Sequence, residues 1–169
     1  MSTAETLHLD AGAHVPNHPT VPVLLYRGGA AEAEDELRKR LRAHGWPADW
    51  TGTVYDYQHY HSTAHEFLAV RSGTAAIQLG GPEGPVVDLV AGDAVLLPAG
   101  TGHCRRRQSD GFQVLAAYPQ GQDWDLIRAE APPDPAVLER IRAVPIPDQD
   151  PLGGTAGAVV QHWHATGQG

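Results

Sequence analysis

The stretch Tyr57-Gln58-His59-Tyr60-His61 carries two histidines two positions apart, and the chain continues to Glu66 and Gly73. Successive side chains of a β-strand point to opposite faces of the sheet, so His59 and His61 are expected on one face. Glu66 shares its parity with the apolar residues at positions 68 and 70, which predicts that its carboxylate also points inward. The stretch therefore predicts two imidazoles and one carboxylate in a common cavity.

A second stretch supplies a third histidine. Residues 92–103 read Gly-Asp-Ala-Val-Leu-Leu-Pro-Ala-Gly-Thr-Gly-His, which is a turn, a short apolar strand, a Pro/Gly turn and then His103. The joint spacing of both stretches is more specific than a lone pair of histidines. We therefore interpret His59, His61, Glu66 and His103 as metal ligands, with packed core histidines and a surface Glu66 as the alternative.

The two stretches resemble the two sequence motifs of the cupin superfamily. The first motif is His-any-His, four residues, Glu, six residues, Gly, and it is matched by His59, His61, Glu66 and Gly73. The second is Gly, five residues, Pro-any-Gly, two residues, His, and it is matched by Gly92, Pro98, Gly100 and His103, although Arg107 stands where Asn is common. The flanking residues 22–26 and 117–119 resemble the YjlB-like bacterial cupins, a family whose name implies no particular reaction.

The resemblance implies an all-β fold, a cupin-type jelly-roll β-barrel, and a homodimer. Gly- and Pro-punctuated segments of strand length independently predict an antiparallel sandwich or barrel, with strands at 53–61, 66–71, 74–79, 86–89, 94–97, 103–107 and 112–118. We expect residues 51–120 to form the barrel, residues 1–50 an N-terminal arm, edge strand and helix, and residues 121–169 a C-terminal helix and extended tail.

The peripheral elements follow from local patterns. Residues 30–44 have an apolar stripe, acidic residues at the start and basic residues at the end, which predicts a helix. Asp134-Pro135 opens a shorter helix whose Val137, Leu138 and Ile141 are expected to dock on the barrel. Residues 1–20 are expected to be irregular, and residues 21–27 to form an edge strand that pairs with the barrel or with a second subunit.

Composition excludes several classes of partner. The formal net charge is -8 and Lys39 is the only lysine, which argues against nucleic acid. No apolar run approaches the ~18 residues that a membrane span needs. The single cysteine excludes an intramolecular disulfide, and residues 1–6 lack the features of a signal peptide, so a cytoplasmic location is expected.

Three imidazoles and one carboxylate suit a divalent transition metal, Fe, Mn, Ni, Co or Zn, and leave two positions of an octahedral metal open. The positive centre would favour a small anionic or chelating molecule. Strand parity places Arg105 and Arg107 on the face of His103, where either could clamp a carboxylate, although a single bulge would reverse this. Tyr57 and His65 are further candidates for orienting substrate or moving a proton; His65 is expected at the rim or behind the ligands.

Three functions fit this site. The first is a metal-dependent oxidoreductase of the dioxygenase type, in which the metal binds substrate and O2. The second is a metal-dependent isomerase, epimerase or lyase of sugar-like substrates. The third is a small-ligand binding or sensing module without turnover. Fold analogy alone does not choose among them.

Overall fold

The computed structural model describes residues 3–164, so the first two positions of the expected arm and residues 165–169 of the expected tail lie outside the described residues. The strands within that range are β1 (Glu5–Leu7), β2 (Val23–Tyr26), β3 (Ala48–Gly52), β4 (His59–Tyr60), β5 (Glu66–Ser72), β6 (Thr74–Leu79), β7 (Val86–Val90), β8 (Ala94–Leu97), β9 (His103–Gln108), β10 (Gln113–Ala117) and β11 (Ile127–Arg128). The helices are α1 (Glu34–Ala43), α2 (Pro135–Ala143) and a π-helical turn, Val160–His164.

The strands form two antiparallel sheets. The larger sheet has the order β1-β2-β8-β5-β10-β3, and the smaller has the order β11-β4-β9-β6-β7. A mostly-β fold with few helices is therefore confirmed. No backbone ladder joins the two sheets in the described part of the chain, so a closed jelly-roll barrel remains a prediction.

The six-stranded sheet is buried on both faces, which explains why its strands are apolar at consecutive positions. Val23 and Leu25 point to a core between the two sheets. Leu24 points the other way, into a second core that α1 and the C-terminal segment cover with Leu37 and Trp163. Residues from 1–50, 51–120 and 121–169 share this second core. The predicted division into three segments is not tested by this packing and remains a prediction.

The N-terminal region is more ordered than the sequence predicted. β1 pairs antiparallel with β2, and β2 pairs with β8, so the expected edge strand is internal. The short stretch Glu5–Leu7 has no apolar run that would have indicated a strand. Because β2 is paired on both sides, it offers no free edge to a second subunit, and the homodimer remains what the family resemblance implies.

The helices keep their predicted positions with shorter bounds. α1 begins at Glu34 rather than at residue 30, and it buries Leu37 and Leu41. A Glu34–Arg38 ion pair forms along the helix at 3.1 Å. In α2, Val137 and Ile141 are buried as predicted. No helix among the described residues is both long enough and apolar enough to cross a membrane.

Two predicted elements were wrong. Residues 53–58 form a loop between β3 and β4, so the expected strand at 53–61 is reduced to His59–Tyr60. The C-terminal region is also not simply extended, because the π-helical turn places Trp163 in the second core. There the Trp163 indole N–H donates to the Pro22 carbonyl at 2.9 Å, which fixes the end of the described chain beside β2.

Candidate metal centre

The histidine-bearing segments come from both sheets. His59 begins β4 and is paired with His103, the first residue of β9, in the five-stranded sheet. Glu66 begins β5 in the six-stranded sheet, and His61 lies in the loop that precedes it. All four side chains are buried. The packing of the two sheets therefore brings together the four residues that the sequence singled out.

The distances within this His–Glu cluster are short. The ring centroids of His59 and His103 are 4.0 Å apart, and the ligand nitrogens of the three histidines lie within 4.8 Å of one another. Glu66 Oε2 is 3.2 Å from His61 Nε2, and Glu66 Oε1 is 3.2 Å from His103 Nε2. The carboxylate thus bridges two of the imidazoles.

The Nδ1 atom of each of the three imidazoles is hydrogen-bonded to a backbone carbonyl. Nδ1 of His59 contacts the Tyr57 carbonyl at 2.9 Å, and Nδ1 of His103 contacts the Thr101 carbonyl at 3.0 Å. Nδ1 of His61 contacts the Asp125 carbonyl. Because a carbonyl only accepts, the proton is on Nδ1 in all three rings, and the neutral tautomer presents its Nε2 lone pair to the cluster. Metal-binding histidines are typically oriented in this way.

The electrostatics of the cluster favour a cation. The Nε2 lone pairs of His61 and His103 each face a Glu66 carboxylate oxygen at 3.2 Å. They repel the carboxylate unless a proton or a metal lies between them. Burial alone would lower the pKa of His61, but the Glu66 carboxylate raises it. Burial alone would raise the pKa of Glu66, yet His61 and His103 hold it well below its ordinary value. The donor set therefore fits a divalent metal that would replace the proton.

Tyr118 holds Glu66 in place and was not among the site residues predicted from the sequence. Its hydroxyl donates to Glu66 Oε2 at 2.5 Å and accepts from the Trp50 indole N–H at 2.8 Å. Burial and the adjacent carboxylate raise the pKa of Tyr118, so the phenol keeps its proton at neutral pH. The one sequence feature that could have indicated Tyr118 was its position in the flanking stretch 117–119, which resembles the YjlB-like cupins.

The segment Gln122–Asp125 supports the first histidine stretch. The Asp125 carboxylate accepts from the backbone N–H and the hydroxyl of Ser62, while its carbonyl accepts from His61. The Thr63 hydroxyl donates to the Asp123 carbonyl at 2.7 Å. These residues lie about sixty positions apart in the chain, so no local sequence pattern indicated the contact.

The turn before His103 is also held by distant residues. Gly100 has a φ of 88°, and its N–H donates to the His61 carbonyl at 2.7 Å. Asn17, which is buried, donates its N–H to the Gly100 carbonyl and accepts from the Gly102 N–H. The N-terminal region, predicted to be an irregular arm, therefore helps to position His103.

His65 lies behind the ligands and does not face the cavity. Its Nδ1 accepts from the Ala99 N–H at 2.9 Å, so its Nε2 carries the proton and donates to the Pro145 carbonyl at 3.2 Å. Complete burial lowers its pKa to about 3. His65 thus connects the Pro/Gly turn to the C-terminal segment as a neutral side chain, and a role in proton transfer has no support in this geometry.

A cavity of about 480 Å³ opens above the His–Glu cluster. Its walls are largely aromatic and aliphatic, with Trp50, Val54, Leu68, Tyr118 and Trp124 among them. Asp49 is the one carboxylate of the lining besides Glu66, and no lysine or arginine is among the described lining residues. The cavity therefore combines a polar floor with apolar walls.

The predicted site residues Arg105 and Arg107 do not line the cavity. A bulge at Arg106 interrupts the pairing of β9 with β6, and Arg107 projects to solvent beside Asp88 at 3.6 Å. Arg105 contacts Gln108 at 2.6 Å and is paired with Asp56 at 3.8 Å. Neither arginine lines the cavity, contrary to the prediction. The bulge explains this for Arg107, whereas Arg105 follows His103 in regular register and is instead held by Gln108 and Asp56.

Tyr57 is a support for the cluster rather than part of the cavity wall. Its carbonyl accepts from His59, and its ring lies beneath the Arg128 guanidinium at 3.9 Å. Tyr55 stacks on Tyr57, with the ring centroids 4.9 Å apart, and it is Tyr55 that lines the cavity. An orienting role for Tyr57 toward substrate stays a prediction.

The fold and the site define a two-sheet β-protein with a buried cluster of three histidines and one glutamate. The cupin domain family model matches residues 50–116. "Uncharacterized protein YjlB" of Bacillus subtilis is 34% identical over 160 residues, covering 94% of this chain and 96% of its own. The chain belongs to the cupin family, as its two motifs predicted.

Solved structures with a similar fold are more distant. Bacillus subtilis oxalate decarboxylase, described with Mn(II) centres, gives a TM-score of 0.39 at 18% identity, with 68% of this chain and 29% of that chain covered. The coconut allergen cocosin gives 0.41 at 17% identity, with 69% and 30% covered. The match thus covers about 30% of either protein's chain.

Proposed function

We propose that this cupin is a metal-dependent oxidoreductase of the dioxygenase type that acts on a small chelating molecule. His59, His61, Glu66 and His103 would hold the metal. The observation that carries the proposal is that all three Nδ1 protons are committed to backbone carbonyls, so that the Nε2 lone pairs are left for a cation beside Glu66.

The donor set suits Fe, Mn, Ni, Co or Zn, since it offers three nitrogens and a carboxylate without sulfur. When bound, a divalent metal supplies Lewis acidity and, if it is redox-active like Fe(II), electrons for chemistry with O2. The proposal includes a closed jelly-roll barrel that surrounds the four ligands.

The protein's own contribution is to orient the ligands and to limit water. Tyr118 fixes Glu66 with a protonated phenol, and the backbone carbonyls fix the three rings. Val54 and Leu68 are buried in the cavity wall, so water has few partners there. A ligand that displaces this water would meet polar groups at the cavity floor.

The composition of the wall narrows the choice among the functions. Because no lysine or arginine is among the described lining residues, attraction of an anionic substrate would come from the bound metal rather than from Arg105 or Arg107. A polyhydroxylated sugar needs many hydrogen-bond partners, and apolar walls offer few, so the isomerase or lyase alternative has less support. Turnover of a substrate would distinguish an enzyme from the alternative of a binding module without catalysis.

Oxygen consumption tests the proposal. The untagged protein would be loaded anaerobically with Fe(II) and supplied with a panel of catechols, β-diketones and α-keto acids in an oxygen-electrode cell. We expect O2 uptake with at least one chelating compound, and none with a His59→Ala variant treated identically. Uptake that is equal in both proteins, or absent across the panel, would contradict the proposal.

The homodimer and the cytoplasmic location also remain proposals. The five-stranded sheet ends in β7, whose Val86 and Val90 are about half exposed, at 52% and 49%. Sedimentation velocity would give the mass in solution, and a species of about twice the chain mass of 18.1 kDa would support the dimer.

A further inference from the structure

The mouth of the cavity has an unusual concentration of exposed aromatic surface. Five large hydrophobic side chains are substantially exposed in the described part of the chain, and the two aromatic ones are Tyr55 and Trp124, at 47% and 39%. Both line the cavity above the His–Glu cluster. Exposed apolar surface that is concentrated at one pocket marks a binding site.

Trp124 has a fixed backbone and a tethered ring. Its neighbours Asp123 and Asp125 are hydrogen-bonded to the loop Ser62–Thr63. The indole N–H donates to Asp49 Oδ2 of β3 at 3.0 Å, so that the ring is tied to β3. The only side-chain hydrogen bond that holds this ring in the described structure therefore ends on an exposed carboxylate.

The indole also belongs to an aromatic wall. Its plane lies 20° from that of Tyr118, with centroids 6.1 Å apart, and its ring is 5.6 Å from that of His61. Tyr118 in turn donates to Glu66. Contiguous aromatic rings thus run from the cavity mouth down to the predicted ligands, and the face of such a ring binds planar partners best.

We propose that Trp124, held by Asp49, is the specificity-determining wall of this site and selects a planar chelating molecule with an aromatic or conjugated body. The chelating end of the molecule would reach the metal, and its flat body would lie along Trp124. The inference rests on the proposed function only in requiring a metal at the His–Glu cluster; it does not require turnover.

The test uses the zinc-loaded protein, which is redox-silent and therefore reports binding alone. Two probes would be titrated, 4-nitrocatechol as a planar chelator, followed by its absorbance, and lactate as an aliphatic chelator, followed by calorimetry. The variants are Trp124→Leu, Trp124→Phe and Asp49→Ala. Leu126→Ala is the matched control, because Leu126 is an exposed apolar residue of the same segment that does not line the cavity.

We expect Trp124→Leu to weaken 4-nitrocatechol binding roughly tenfold, the scale of one lost aromatic stack, and to leave lactate binding unchanged. Trp124→Phe should restore most of the affinity, Asp49→Ala should give a smaller loss, and Leu126→Ala should give none. Equal losses for both probes, or no loss of 4-nitrocatechol binding, would overturn the inference.

Zinc content is measured before the titrations, which separates the two proposals. A wild-type protein that binds no zinc would overturn the metal site, and with it this inference. A zinc-replete protein that consumes no O2 as the iron form but discriminates between the probes would contradict the proposed dioxygenase alone. A zinc-replete protein whose variants do not discriminate would contradict the role of Trp124 alone.

Discussion

Replacing Tyr118 with phenylalanine removes one hydroxyl group from beside the predicted metal. The ring and its packing are kept, but Glu66 Oε2 loses the donor at 2.5 Å, and the Trp50 indole N–H loses its acceptor. Because Trp50 lines the cavity, water can replace that acceptor. The main consequence is therefore a Glu66 carboxylate that is less well oriented toward His61 and His103.

Two independent estimates give the size of the effect. A hydrogen bond to a charged group contributes about 1.5–3 kcal/mol. Loss of a residue that orients a metal ligand typically lowers metal affinity about 10–100-fold, which corresponds to about 1.4–2.8 kcal/mol. The two ranges agree, so we expect Tyr118→Phe to bind Zn(II) about 10–100-fold more weakly than the wild type.

The assay is competition for Zn(II) between the protein and a chromophoric chelator at pH 7.5. Tyr55→Phe is the matched control, because it removes a phenol from the same cavity at a residue that is 47% exposed and does not contact Glu66. Wild-type affinity in Tyr118→Phe would refute the reasoning. An equal loss in Tyr55→Phe would also refute it, since the effect would then not depend on Glu66.

Three further predictions follow from the same geometry. Glu66→Gln should keep the circular dichroism spectrum of the wild type and lower Zn(II) affinity by about 100-fold, because the charge is lost; wild-type metal content would contradict this. Gly100→Val should lower the free energy of unfolding by about 3 kcal/mol or more, measured in urea, because a Cβ at φ 88° would lie 2.9 Å from the backbone carbonyl oxygen of Asn17, which cannot move easily. A stable, metal-replete variant would show that the turn does not need glycine. Because burial lowers the pKa of His65 to about 3, its contribution to stability is complete above pH 6.5 and is lost as the pH falls. Between pH 7.5 and pH 5, the free energy of unfolding of the chelator-treated wild type, measured in urea, should fall by about 2 kcal/mol more than that of His65→Gln. An equal fall in both proteins would contradict this prediction.

The four predicted ligands lie together in the structure, and their binding of a metal remains a prediction. The regular strands at 74–79 and 94–97 were correct to the residue, because short apolar stretches there are bounded by Gly and Pro. His59 and His61 also lie together as expected. The reason differs from the prediction, since β4 contains only His59–Tyr60 and His61 is oriented by the Asp125 carbonyl.

The features that the sequence did not reveal depend on contacts between distant segments. Tyr118, Asn17 and Asp125 each support a ligand or its turn from far along the chain, and none belongs to a periodic pattern. The position of Arg107 depended on uninterrupted alternation in β9, which one bulge changed. Local periodicity therefore predicts the strands and the candidate ligands, whereas the residues that orient those candidates require the tertiary structure.

The central claim is that His59, His61, Glu66 and His103 hold a divalent transition metal. Its most direct test is elemental analysis of protein expressed without a polyhistidine tag and purified without chelators, beside the double variant His59→Ala/His103→Ala. We predict about one equivalent of a transition metal in the wild type and none in the variant. No metal in either protein, or the same metal content in both, would contradict the claim.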